Sequence, residues 1–225
     1  MKFILPVFIF FFLLLPAQAQ QQTERKTVKS KNPDSRELFY VIKGTDIKHG
    51  DYRKTFIGMI SVSEKGQYDN GIKAGVWEYL DAQGQVEQRY DFTQGKLIYD
   101  RHGPSSIAGA TKSALIINGE FRENTTGQLP VLLGGRSKYA YFLANNMVYP
   151  SEAKINKVEG TVIISVTITR DGRIIDEQVE GEAGFGLGDE ALRVIRLLPD
   201  EWVPITVEGE PVATRLFIPI RFILS

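Results

Sequence analysis

Cysteine is absent from the sequence, and histidine occurs only as His49 and His102. A chain without cysteine forms no disulfide, zinc ribbon or thiolate nucleophile, and two imidazoles are too few for a histidine-rich metal site. Net charge is absent as well, because 27 basic residues balance 27 acidic ones, and this argues against a nucleic-acid binder. The 43% of hydrophobic and 11% of aromatic residues nevertheless supply enough apolar surface for a folded core.

Residues 1–19 have the pattern of a secretory signal peptide. Lys2 gives a positive start, Phe3–Leu15 is an apolar run of 13 residues broken only by a proline, and Ala17-Gln18-Ala19 is a small-x-small cleavage site. A membrane-spanning helix needs about 20 apolar residues, so this run is short for an uncleaved anchor. We expect cleavage after residue 19 and a periplasmic protein whose membrane association is indirect. An uncleaved leader would instead place the protein at the inner membrane.

Two polar segments are predicted to be connections. Residues 20–35 show no apolar periodicity and contain Pro33, which predicts a flexible lead-in. Residues 101–129 are predicted to be a linker, although Asn118-Gly119 follows a short apolar run and suits a hairpin turn.

Residues 36–100 alternate short aromatic or β-branched runs with glycines, as antiparallel hairpins do. A weak repeat is present, since Gly50-x-Tyr52 recurs as Gly75-x-Trp77. Around these positions the sequence resembles the variant MORN-type repeats of bacterial exported proteins, which implies a β-hairpin meander with an interaction role. Its aromatic side chains form either a ligand-stacking platform or the core of a thin sheet, and we favour the core.

Residues 130–225 have longer periodic segments. Helices are predicted over 137–146, from Pro150-Ser151 and over 189–197, and strands over 161–169, 173–180 and 214–224. The expected fold class is therefore α+β: an N-terminal hairpin-repeat module, then helices on a three-stranded antiparallel sheet.

Several motifs follow one another in this half, and their residues are Tyr149, Pro150, Gly160, Asp171, Gly172, Asp189, Ala191, Trp202, Pro204, Pro219 and Phe222. In this order they resemble the C-terminal domain of TonB, in which such positions are mainly structural, and residues 130–135 resemble the lead-in of Bacteroidetes-type members.

The resemblance implies contact with a protein partner. In TonB, the last strand of this domain pairs with an extended segment from the periplasmic plug of an outer-membrane transporter, which is strand addition. Carried onto this sequence, the edge is Thr214–Phe222, and its alternate positions Arg215, Phe217 and Arg221 become the candidate partner-binding residues. Pro219 lacks an N–H group, which fits an edge position.

The sequence departs from a complete energy transducer, because it offers neither a spanning-length apolar run nor a proline-rich spacer. The alternative function is therefore an envelope scaffold or signalling protein without a transporter. An enzyme is not expected: Ser105 lacks a nucleophile-elbow context, and the glycines at 181–188 lack the ending of a phosphate loop. We predict no catalytic residue, no metal ligand and no cofactor.

Overall fold

The computed structural model describes residues 21–31, 34–58, 62–103, 107, 109–110, 112–181 and 184–224. The predicted signal peptide lies outside these residues. The fold is mixed α+β, with a seven-stranded antiparallel sheet followed by a unit of helices on a second antiparallel sheet.

The first unit is a meander in which each strand pairs with the next along the chain, which spares it any crossover connection. Its strands are β1 Thr23–Lys31, β2 Asp34–Ile42, β3 Lys48–Phe56, β4 Val62–Asp69, β5 Ile72–Leu80, β6 Val86–Asp91 and β7 Lys96–Asp100. Asn70 and Gly71 form one of the hairpin turns with positive φ angles of 49° and 86°, as their sequence predicted.

The predicted flexible lead-in at 20–35 is wrong, because strand β1 occupies most of it. β1 pairs with β2 over its whole length, from Thr23 opposite Ile42 to Lys31 opposite Asp34. An edge strand exposes much of both faces, so it needs no apolar alternation to fold against its neighbour. The polar composition therefore reflected an edge position in the sheet.

The repeat aromatics form the core of the first sheet. Trp77 is fully buried, and its ring packs edge-on against Tyr68 at 5.3 Å and Phe92 at 5.6 Å and lies 5.2 Å from Tyr52. Gly66 makes room for this indole, since a Cβ at Gly66 would lie 2.4 Å from the ring. The preference for a core over a stacking platform agrees with this packing.

The second unit begins before the expected boundary at residue 130. Its elements are β8 Lys112–Ile117, β9 Glu120–Glu123, β10 Val131–Leu132, α1 Gly135–Asn146, α2 Ser151–Ile155, β11 Gly160–Ile168, β12 Ile174–Gly181, α3 Leu187–Ile195, β13 Trp202–Val203, β14 Ile205–Val207 and β15 Glu210–Phe222. The main sheet has the order β12-β11-β15-β8-β9, β14 pairs with the start of β15, and β10 pairs with β13.

The expected three-stranded sheet and the expected linker at 101–129 both need correction. Strands β11, β12 and β15 form the predicted meander, but β8 and β9 extend it. Asn118 and Gly119 make the β8–β9 turn with φ angles of 54° and 81°, and β8 pairs with Ala213–Phe217 of β15. Leu115 is buried, and the burial of its apolar side chain stabilises β8 in this sheet.

The two units share a core around helix α1. Phe56 from β3 lies 5.3 Å from the ring of Tyr141 and 6.3 Å from that of Phe142, while Leu133 joins the aromatic cluster of the first sheet. The Tyr141 hydroxyl also donates to the carbonyl of Asp34 at 3.2 Å. The inner face of the seven-stranded sheet therefore covers α1, whose other side joins the core of the second unit next to α3 and β10.

Charged side chains reinforce this junction. The buried Lys138 ammonium lies 2.8 Å from a carboxylate oxygen of Glu201 and 3.2 Å from one of Glu64, and Lys73 lies 2.6 Å from the other Glu201 oxygen. Burial alone would raise the pKa of Glu201, but Lys138 and Lys73 outweigh it and lower that pKa to about 2. The four charges join strands β4 and β5 to α1 and to the residue before β13.

Strand β6 also binds the start of α1. Glu87 is fully buried, and both of its carboxylate oxygens accept from the Ser137 N–H at 3.2 Å, while the Gln88 side chain accepts from the Gly134 N–H at 2.9 Å. A carboxylate there is favourable, because the first N–H groups of a helix lack partners and carry partial positive charge. Within the described residues, no helix is long and apolar enough to cross a membrane.

Candidate protein-interaction site

The last strand, β15, is the centre of the second sheet. It pairs with β11 from Thr214 to Phe222 along one side. Along the other side β8 covers only Ala213–Phe217. The expectation of an open edge over the whole of Thr214–Phe222 is therefore wrong. Among the described residues, no strand pairs with Ile218–Phe222 on the side away from β11.

Pro219 indicates which backbone groups face this open side. Proline has no N–H group to donate. The hydrogen bonds between β15 and β11 therefore stay complete only if the Pro219 nitrogen faces away from β11. Backbone groups alternate along a strand, so the N–H and C=O of Arg221 then face the same open side. Gly109 approaches the Pro219 ring, since a Cβ on it would lie 3.0 Å from that ring. Arg221 itself is exposed.

Arg215 is not the exposed contact residue that alternation predicted. Its guanidinium donates to the Thr167 hydroxyl at 3.2 Å, the Ser165 hydroxyl at 2.6 Å and the Asp176 carbonyl at 2.7 Å, and lies 3.6 Å from Glu180. Only 8% of the residue is exposed. These contacts tie β15 to β11 and β12 across the outer face of the sheet, which makes Arg215 a structural residue.

The other outer-face candidate, Phe217, is half-buried. The Lys112 ammonium lies 5.2 Å from the centre of its ring, which is a cation–π contact between β8 and β15. Phe217 lines an open cavity of about 650 Å³ with Arg215, Gln178 and Phe121. Phe121 is 66% exposed, so apolar surface reaches solvent in this cavity.

The family-motif residues shape this unit. Tyr149 packs edge-on against Phe222 at 5.6 Å and donates its hydroxyl to the Val158 carbonyl at 2.6 Å. Gly172 accepts at its carbonyl from the Trp202 N–H at 3.1 Å. A Cβ on Gly172 would lie 2.1 Å from the Trp202 carbonyl oxygen, so only glycine fits there.

The remaining motif residues occupy element ends and packing positions. Pro150 precedes α2, Gly160 begins β11, and Pro204 lies between β13 and β14. In α3, Ala191 is buried and Asp189 is exposed in the first turn. In the turn before β12, the Thr169 hydroxyl and then Arg173 hold the pKa of Asp171 below its usual range. Among the motif residues, Pro219 and Phe222 belong to the open part of β15, and Tyr149 packs against Phe222.

Sequence reasoning missed the residues that limit the edge. The sequence predicted β8 only as one strand of a hairpin, because a local pattern does not show which distant strand the hairpin pairs with. Glu64, Glu87 and Lys138 were also missed, since their burial depends on contacts between distant segments. No cluster of three metal-ligating side chains occurs in the part of the chain that the structure describes.

A sheet with helices on one face and a stretch of strand that no described strand pairs with has a geometry suited to protein interaction. Residues 145–224 match the family model of the Gram-negative bacterial TonB protein C-terminal, so this part of the chain is a TonB C-terminal domain. That family is non-catalytic, implies a protein partner and suggests a TonB-like role in energy transduction. The first unit is an antiparallel sheet without a named family. Comparisons with curated proteins and with solved structures gave no match.

Proposed function

We propose that the protein is periplasmic and binds the plug of a TonB-dependent outer-membrane transporter by strand addition. The observation that supports this is the open side of β15 at Ile218–Phe222, within the TonB C-terminal domain. An unpaired stretch of strand offers backbone donors and acceptors to an extended segment of a partner. Arg221 contributes both of its backbone groups there, and its exposed side chain lies beside the added strand.

The other two edges of this sheet are less suited to strand addition. Strand β12 is interrupted by register shifts against β11 on either side of Ile164 and Ser165, and it carries Asp176, Glu177 and Glu180. Strand β9 has only four residues, three of which are charged. Short strands, irregular pairing and charged side chains are features that protect an edge from pairing. The open part of β15 is also short and contains Pro219 and Arg221, but its pairing with β11 is regular and it carries a single charge.

The test separates backbone pairing from side-chain contact. Arg221→Pro removes one backbone N–H, and Arg221→Ala removes only the side chain. Binding of the purified plug domain of an outer-membrane transporter from the same organism is measured by titration calorimetry. We expect Arg221→Pro to weaken binding about fivefold more than Arg221→Ala, because only the proline variant loses a ladder hydrogen bond, which is worth about 1 kcal/mol.

A fold control accompanies the comparison. Both variants should retain the thermal unfolding midpoint within a few degrees, since Arg221 is exposed and its backbone faces away from β11. Equal weakening by the two variants would contradict strand addition at this site. If the wild-type protein binds no plug domain but captures envelope proteins through residues 36–100, the scaffold function replaces this proposal.

A further inference from the structure

Five basic side chains share the outer face of the first three strands: Arg25, Lys29, Lys31, Arg36 and Arg53, here called the basic face. Phe39 and Val41 of β2 are buried against the core. Because side chains alternate along a strand, Arg36 points to the opposite, outer face. The register then places Lys29 beside Arg36, Arg25 beside Tyr40, and Arg53 beside Leu38. All five basic residues are exposed.

Among the described residues, no ion pair involves the basic face. Basic residues elsewhere on the same strands do have partners: Lys48 and Lys54 pair with Glu37 at 3.3 Å and 2.9 Å, and Lys26 pairs with Asp46 at 2.7 Å. Several other cations of the first sheet are therefore neutralised by ion pairs, whereas these five face solvent.

Carboxylates on the outer face offset only part of this charge. Asp34 lies opposite Lys31 in the register, and Asp51 accepts a hydrogen bond from the Gln67 amide at 3.1 Å. Glu78, on β5, is paired with Lys65 and Arg89, both at 2.8 Å. The field over β1–β3 is therefore positive, although the whole chain is neutral.

The dimensions of the basic face suit an extended anionic surface. With a rise of about 3.3 Å per residue and about 4.8 Å between strands, the cations spread over roughly 20 Å along β1 and 10 Å across to β3. A single small anion would contact only part of such an area. Leu38 and Tyr40 lie among the cations and line an open cavity of about 600 Å³. Tyrosine is favoured where a polar surface meets an apolar one, as at the headgroups of a bilayer.

We propose that the basic face binds the headgroups of a membrane that contains anionic phospholipid. Basic residues held near such a surface each strengthen binding, and several together make it stable. The predicted leader favours lipid over nucleic acid as the polyanion, since an exported protein meets the surface of a membrane. This inference does not depend on strand addition at β15.

Vesicle sedimentation tests the proposal. The protein, produced with its own leader and purified as cells process it, is mixed with phosphatidylcholine vesicles or with vesicles that contain 30% phosphatidylglycerol. The variant combines Arg25→Gln, Lys29→Gln and Arg36→Gln. Its matched control combines Lys154→Gln, Lys157→Gln and Arg170→Gln, which removes the same charge from exposed positions of the second unit.

We expect wild type and control to partition alike onto the anionic vesicles and hardly onto phosphatidylcholine alone. The basic-face variant should bind at least about 20-fold more weakly, and 0.5 M NaCl should release the wild type. A retained apolar leader would bind both vesicle types, so the comparison between them isolates the charge.

Three outcomes would overturn the proposal. One is equal binding by wild type and the basic-face variant, and another is equal loss in the control variant, which would make net charge the only cause. The third is binding of soluble polyphosphate through the same residues without binding of anionic vesicles. Circular dichroism checks that each variant is folded, as substitution of exposed residues should allow.

Discussion

Replacing Lys138 by methionine tests how the two units are held together. The Lys138 side chain is 5% exposed and lies between Glu201 at 2.8 Å and Glu64 at 3.2 Å. Methionine keeps most of the apolar volume but removes the cation. Glu201 retains Lys73 at 2.6 Å, whereas Glu64, which is 6% exposed, loses its ion-pair partner. A buried carboxylate without a partner is costly, so we expect a large loss of stability.

Two estimates agree on the size of that loss. Breaking a buried ion pair by removing one partner typically costs about 3–5 kcal/mol. The pKa of Glu201 is lowered from 4.5 to about 2 in the folded protein. At about 1.4 kcal/mol for each pKa unit, that shift corresponds to about 3 kcal/mol of stability at neutral pH. Lys73 supplies part of this stabilisation and stays in the variant, whereas Glu64 loses its ion pair. With both effects counted, we expect Lys138→Met to lower the free energy of unfolding by about 3 kcal/mol.

The loss should depend on pH in a defined direction. The folded pKa of Glu201 lies below its unfolded value, so its contribution is fully present above pH 4.5 and is lost as pH falls toward 2. The difference between wild type and variant should therefore be smaller at pH 3 than at pH 7. Urea unfolding followed by tryptophan fluorescence measures it, because Trp77 reports on the first sheet and Trp202 on the second unit.

The matched control is Lys65→Met, which breaks an ion pair with Glu78 at 2.8 Å on the surface. Lys65 is 39% exposed, so this change should cost no more than about 1 kcal/mol. The double variant Lys138→Met with Glu64→Gln should recover part of the loss, because the remaining buried group is then neutral. A cost below about 1 kcal/mol for Lys138→Met, or one that is the same at pH 3 and pH 7, would refute this account of the junction.

Two glycine substitutions give further predictions. Gly172→Ala places a Cβ 2.1 Å from the Trp202 carbonyl oxygen at a φ of 78°, so it should cost at least about 2 kcal/mol in urea unfolding, and an unchanged midpoint would contradict the close approach. Gly66→Ala places a Cβ 2.4 Å from the Trp77 ring, so it should cost about 1–3 kcal/mol of stability and shift the tryptophan emission. The control is Gly84→Ser, at a turn glycine with open space around it, which should leave the tryptophan emission unchanged.

The sequence predicted best the elements whose neighbours are close along the chain. In β11, Val162, Ile164, Val166 and Ile168 are all fully buried, as their alternation indicated. Helix α1 was predicted close to its bounds, but not its surroundings. Lys138 and Tyr141 are buried with Tyr139 and Phe142 because the helix lies between the first sheet and the core of the second unit. The helical spacing of apolar residues predicts one buried face, and it does not predict that a second face of α1 is buried as well.

The candidate site was predicted in part for the same reason. Alternation correctly places Arg215 on the outer face of β15, opposite the buried Leu216. It does not predict that Ser165 and Thr167 on the neighbouring strand accept hydrogen bonds from that guanidinium. Nor does it predict β8 beside β15, since pairing between distant strands depends on the whole chain. Of the three candidates, only Arg221 is exposed beside the open edge.

The position of β8 sets a limit on how a partner can use β15. Residues 101–111 connect β8 to the first sheet, and that sheet is fixed to α1 through Lys138 and Glu87. Moving β8 off the edge would cost its pairing with Ala213–Phe217 and the burial of Leu115, so a partner should pair beside β8 and leave it in place. The free stretch of five residues includes Pro219, which leaves few ladder hydrogen bonds, each worth about 1 kcal/mol. Backbone pairing alone would therefore bind weakly, and a stable complex needs side-chain contacts next to the edge, where Phe217 and Arg221 lie.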